Sequence, residues 1–117
     1  MGIPTTVARG KISDPYSIFS MQRGTGRKLD VLNDGTLLCD DAPHAVLRPC
    51  ESALLVLFMR NFSQLLPKER LTNSAGSSGI SATTLTTKIA AIRRKITGTR
   101  YQIVSIYGEG YRCIVIP

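Results

Sequence analysis

The sequence predicts an α+β domain with a small N-terminal antiparallel sheet, three helices and a C-terminal β-hairpin. Three observations carry this. Asn33-Asp34-Gly35 separates two short apolar runs, and residues that tolerate positive φ make a tight hairpin turn in that setting. Leu85, Ile89, Ile92 and Ile96 recur at spacings of 4, 3 and 4, the apolar stripe of an amphipathic helix. Directly after it, Gly108-Glu109-Gly110 divides two β-rich runs, which reads as a second hairpin. A chain of 117 residues, 43% of them hydrophobic, fits one domain with a real core and leaves little room for another.

The elements follow in order. Residues 1–24 read as a tail or linker, because Gly2, Pro4, Gly10 and Pro15 interrupt any period. Within it, Tyr16 to Phe19 has the composition of a short strand or of a segment packed on the body. The domain proper is expected over 25–117. Leu29 and Val31 open a strand, Thr36 to Cys39 returns after the Asn33-Asp34-Gly35 turn, and Asp40, Asp41 and Pro43 punctuate before a third strand at Ala45-Val46-Leu47. Pro49 suits the first position of a helix, where its missing N–H is unneeded. Glu51 meets the positive end of that helix dipole, and Leu54, Leu57 and Phe58 supply an apolar face as far as Asn61. Arg48 is a poor N-cap. Pro67 opens a shorter helix with Leu71 facing inward, and Asn73 to Gly79 is a loop by composition. Ser81 or Thr83 caps a third helix that stops at Gly98. Strands at Tyr101 to Ile106 and Tyr111 to Ile116 complete the chain.

Fifteen Lys and Arg against eight Asp and Glu give a net charge of +7. That balance favours a polyanionic partner, nucleic acid first and an anionic membrane surface second. The three cysteines, Cys39, Cys50 and Cys113, form no C-x-x-C pair, and His44 is the only histidine. Reduced thiols are therefore expected, with no metal or other cofactor. No apolar run approaches the roughly 20 residues of a membrane span, and the first residues lack a signal-peptide core. A cytoplasmic protein with no membrane segment within these residues is expected.

The third helix carries the function. Opposite its isoleucine stripe lie Thr83, Thr87, Ala90 and Arg94. Thr84, Lys88, Ala91 and Lys95 lie along one flank, with Thr86 and Arg93 along the other. Small hydroxyls and methyls at one end and cations at the other suit entry into a DNA major groove, where bulk would block approach and cations meet phosphates. An ordinary solvated face, with cations answering the C-terminal dipole, explains the same residues. The hairpin that follows at once shifts the balance, since helix plus glycine-bearing hairpin is a helix-and-wing arrangement.

Three ordered segments over about 27–116 resemble the OmpR/PhoB-type effector domain of bacterial transcription regulators, which ToxR-like regulators share. Leu47-Arg48-Pro49-Cys50-Glu51 with Leu54-Leu55 and Leu57 is similar to its opening helix. Ile89 to Ile96 is similar to its recognition helix, and Ile103 to Arg112 to its wing. The resemblance implies a winged helix-turn-helix, no enzymatic activity, and sequence-specific binding of double-stranded DNA. The recognition helix, about 82–97, would lie in the major groove and the wing, 101–116, near the minor groove. It places Thr87, Lys88 and Ala91 towards bases and Thr83, Thr84 and Arg93 towards phosphates. Arg94 and Lys95 stand where the helix leaves the groove. Ser105, Tyr107 and Arg112 belong to the wing, with Gly110 and Tyr111 ending its turn. It also implies a contact with RNA polymerase through the 72–80 loop; a single domain of this size should bind weakly, so a homodimer on repeated half-sites is expected.

Departures from the pattern motivate a second reading. Ala90 and Ala91 stand where arginine is common, Tyr107 replaces a wing arginine, Glu109 adds a negative charge at the wing tip, and the tryptophan after the second helix is missing. A protein–protein interaction module with a reduced DNA face would carry such changes. Other signals are set aside. Gly24-Thr25-Gly26-Arg27-Lys28 lacks the spacing and ending of a phosphate loop, and Gly76-Ser77-Ser78-Gly79 is not a nucleophile elbow. Asp40-Asp41 reads as turn punctuation, His44 as an exposed turn residue, and Cys50 as a small helix residue.

Overall fold

The computed structural model describes residues 15–75 and 79–116. Four strands form an antiparallel meander in the order β1-β2-β3-β4: Ser17–Met21, Leu29–Leu32, Thr36–Cys39 and Ala42–Val46. Helix α1 (Pro49–Arg60) follows, then a two-residue strand β5 (Leu66–Pro67), α2 (Lys68–Ser74) and α3 (Ala82–Lys95). Strands β6 (Tyr101–Ile106) and β7 (Gly110–Val115) form the terminal hairpin. A second sheet has the order β5-β7-β6. This is a winged helix-turn-helix.

The first sheet is built on turn chemistry. The amide of Thr36 donates to Asp34 Oδ1 and that of Gly35 to the carbonyl of Leu32, which closes the β2–β3 turn. The next turn sets Asp40 and Asp41 both at positive φ, 52° and 68°. Two central residues at positive φ give the twist that a two-residue hairpin needs, so the acidic pair is turn structure. Arg27 Nη1 binds Asp40 at 2.8 Å and Lys28 Nζ binds Asp41 at 3.1 Å across the same hairpin end.

The short strand suggested by Tyr16 to Phe19 is present as β1, which pairs with β2 through an irregular register between Ser17 and Phe19 and runs on to Met21, buried in the core. Two expectations need correction. The third strand begins at Ala42, three residues earlier than expected, and runs through Pro43. Proline is tolerated there because β4 is also an edge and the pairing shifts between Leu37 and Leu38. The loop expected from Asn73 starts later, since α2 continues to Ser74 and Ala75 is buried. Residues 76–78 of that loop, with Ser77 and Ser78 of the dismissed glycine–serine run, lie outside the described residues.

One core joins all layers. Leu54, Leu55, Phe58 and Met59 of α1 pack with Leu71 of α2 and with Leu85, Ile89 and Ile92 of α3. Leu29, Val31 and Leu37 enter from the first sheet; Leu66, Tyr101, Ile103 and Cys113 enter from the second. Helix α1 buries a wider arc than its expected face, with Leu55 and Met59 buried and Leu57 only half-buried. Burial pushes the Cys113 thiol up to about 12, so it stays protonated and unreactive at neutral pH. Among the described residues no helix is long and apolar enough to cross a membrane.

The loop after β1 laces the two sheets together. Arg23 N–H donates to the Tyr101 hydroxyl, Thr25 Oγ1 to the carbonyl of Ile116, and Arg27 N–H to that of Thr99. Gly26 lies close against the Tyr101 side chain, where a Cβ would collide with the hydroxyl end of the ring. In the segment set aside as a phosphate loop, Gly26 thus serves close packing. Gly110 is the tightest point of the wing, since a Cβ there would run into the carbonyl of Leu66 on β5. Gly110→Ala should therefore push β5 off β7 and lower stability by about 2 kcal/mol. Urea unfolding of the two proteins measures this; equal midpoints would mean that the β5–β7 contact yields without cost.

Candidate nucleic-acid interface

Helix α3 starts at a good cap. Ser81 Oγ accepts from the amide of Thr84 at 3.1 Å, which decides between the two candidate caps and satisfies a free donor of the first turn. Leu85, Ile89, Ile92 and Ile96 are buried as their spacing requires. No acidic residue lies in α3, and Arg93, Arg94 and Lys95 fill its last turn, where cations complement the dipole. The helix ends at Lys95 with Ile96 as its C-cap, slightly short of the expected 97.

The exposed face of α3 presents Thr83, Thr86, Thr87, Ala90 and Arg94, while Thr84 and Lys88 are half-exposed. Thr87 Oγ1 donates to the carbonyl of Thr83 and Thr86 Oγ1 to that of Ala82. With their protons turned into the helix, these hydroxyls offer lone pairs outward, as acceptors for amino groups on base edges. Ala91 departs from expectation. Only 8% exposed, it is too short to emerge between the longer Lys88, Lys95 and Arg48 that line the same groove.

Two cations of α3 are held by the protein itself. Arg93 Nε donates to the carbonyl of Ile103 at 2.8 Å and its Nη2 to Ser105 Oγ at 2.9 Å. Its guanidinium also lies 5.8 Å from the centre of the Tyr111 ring, within cation–π range. Arg93 and Ser105, expected to meet DNA separately, are joined to each other and fasten the helix to the wing. Lys95 Nζ sits 2.6 Å from Glu51 Oε1. Glu51 is 3% exposed and also accepts from the amide of Arg48 at 3.0 Å. Burial raises the Glu51 pKa, but the Lys95 hydrogen bond, the Arg48 amide and the nearby positive charge outweigh it and leave the carboxyl below its usual range. Sequence reading gave Glu51 a dipole role and Lys95 a DNA role; a separation of 44 residues concealed the pair.

The wing carries the remaining candidates. Tyr107 is fully exposed at its tip, beside Gly108 and Glu109. Arg112 is half-buried on β7 opposite Val104, and its Nε is enclosed without a protein acceptor among the described residues. Tyr111 is buried rather than presented. His44 lies on β4, not in a turn, and its Nε2 reaches the carbonyl of Thr97 at 2.9 Å, tying the first sheet to the end of α3. Cys50 is half-buried against the core.

Glu51→Gln should cost about 2 kcal/mol at pH 7, because Lys95 loses its partner at a mostly buried site. The depressed carboxyl contributes stability that is present above the unfolded value near 4.3 and disappears as pH falls through the lower folded value. The gap between wild type and variant should therefore narrow below about pH 4. Urea titrations at pH 7 and pH 3.5 test this, and a gap independent of pH would remove the charge from the explanation.

Comparison with known proteins agrees with this geometry. Residues 43–113 match the family model described as transcriptional regulatory protein, C terminal. Among solved structures, the C-terminal domain of the nisin resistance regulator NsrR, a lantibiotic response regulator, is 27% identical with a TM-score of 0.63; the match covers 72% of this chain and 88% of that one. The DNA-binding domain of E. coli CadC is 18% identical with a TM-score of 0.64, over 76% and 87% of the two chains. The DNA-binding domain of the response regulator AdeR, solved with an intercistronic region, is 15% identical with a TM-score of 0.64, over 82% and 100%. The last two likenesses speak for the fold alone. No curated protein matches the chain by sequence. The helix-and-wing geometry and the family match over 43–113 together establish that the chain belongs to the family of C-terminal, OmpR/PhoB-type DNA-binding domains of transcriptional regulatory proteins.

Proposed function

We propose that α3 reads the major groove of duplex DNA through Thr87, with Lys88 on the flanking phosphates and the 101–116 wing lying along the neighbouring minor groove. The observation that carries this is the outer face of α3, with small exposed side chains, cations at its C-terminal end and no carboxylate. From Ala82 onward six cations accompany one acid, Glu109. Thr83, Thr84 and Arg94 would meet phosphates, Tyr107 the minor-groove edge, and Arg112 the backbone beside it. Arg93 and Ser105 serve by fixing the wing against the helix. Lys95 and Ala91 drop out of the contact set. The AdeR domain, solved on DNA, supports the docking by likeness of fold. Acting in the cytoplasm, two copies would occupy repeated half-sites about one helical turn apart. The 72–80 segment would face RNA polymerase.

The test is duplex binding over a salt series, with a random-sequence duplex and with sequences selected from a random library. Lys88→Ala should weaken binding to all sequences alike and make the salt slope shallower by about 1. Thr87→Ala should instead relax sequence preference by about 1–3 kcal/mol at the affected base pair. The second reading, a protein-interaction module, draws on the fully exposed Tyr107 and on exposed Ala90. Failure of the wild-type protein to bind any duplex at low salt would favour it over DNA readout.

A further inference from the structure

Beside the exposed face of α3, its flank and the N-terminus of α1 enclose a groove of about 530 Å³. Arg48, Glu51, Lys88, Arg94 and Lys95 line it, with Thr87 and Ala91 between them. Glu51 is its one carboxylate, and Lys95 answers that charge at 2.6 Å. Arg48, Lys88 and Arg94 make no ion pair among the described residues. Three cations without an ion-pair partner among the described residues therefore line one open groove.

Arg48 is the unexpected member. It occupies the N-cap of α1 with φ −74° and ψ 159°, and its side chain makes no capping hydrogen bond. A guanidinium has no acceptor to offer the free amides of the first turn, and Ser, Thr, Asn or Asp are the residues that favour this position. The amide of Arg48 is used, by Glu51, but any residue other than proline supplies that amide. Local stability does not account for arginine here. An exposed planar fork beside Lys88 and Arg94 does fit a phosphodiester, which a guanidinium binds through paired N–H donors.

We propose that this groove seats a stretch of DNA backbone beside the base-reading face of α3, with Arg48 as a phosphate-binding residue contributed by α1. The proposal rests on the DNA-reading role of α3 given above and extends the interface to a second helix. Charge complementarity names the occupant. The groove is continuous with the face that carries Thr87, and its open cations are those a polyanion would neutralise with release of counterions. Glu51 keeps Lys95 out of this set, so the groove counts three phosphate-directed cations and not four.

The deciding variant is Arg48→Ser, which deletes the charge while installing a preferred cap. Its thermal midpoint should equal or exceed that of the wild type. Its duplex affinity should fall by a similar factor for every sequence, and the log–log salt slope should become shallower by about 0.9. Arg48→Lys should retain most of the slope, and Arg27→Ala, which removes a cation paired with Asp40 on the first sheet, should leave it unchanged. An unchanged slope in Arg48→Ser, or an equal loss in Arg27→Ala, overturns the groove while α3 keeps its role. A wild-type protein that binds no duplex overturns both, and that outcome is visible before any variant is made.

Discussion

A carboxylate that is 3% exposed must find donors or lose its charge, and Glu51 finds them at the one place where α1 and α3 meet at their ends. The amide of Arg48 closes the first turn of α1 on one side, and Lys95 reaches across from the last turn of α3 on the other. The pair does not drive folding, which the leucine and isoleucine faces of the two helices accomplish. It sets register. A slide of α3 by one turn would leave a charge unpaired at a buried site, so the helix that faces DNA is held at one position on its scaffold.

The wing depends on the same helix. Arg93 takes the Ile103 carbonyl and the Ser105 hydroxyl, and β7 is flanked in its sheet by β5 at Leu66 and Pro67. Just past the same end of α3, His44 meets the Thr97 carbonyl, and Tyr101 receives the Arg23 amide. Helix and hairpin thus form one surface and not two independent ones. Preorganisation of this kind reduces what must be ordered on binding.

Charge is distributed to match. Asp30, Asp34, Asp40 and Asp41 all lie in the first sheet, where Arg27 and Lys28 are engaged by them. The uncompensated cations of α3 and its groove lie on a different part of the domain. With four of the eight acids gathered on the first sheet and none in α3, the domain presents an uneven charge distribution that a polyanion's field can orient on approach.

Local signals wrote much of this fold in advance. The β2–β3 turn, the α3 stripe and the wing turn are encoded by residues next to each other or one helical turn apart, and those elements stand where the sequence places them. Edge strands are less legible, because β1 carries an irregular register and β4 a proline, while β5 is only two residues long and exists by virtue of its partner β7. The interface divides the same way. That α3 is basic, small-faced and free of acids follows from its own residues. Which of its cations remain free was decided by tertiary structure, since Lys95 is claimed from 44 residues away and Arg93 by the following strand. A helical wheel places a side chain on a face; only packing determines whether that face is solvent, groove wall or ion-pair partner.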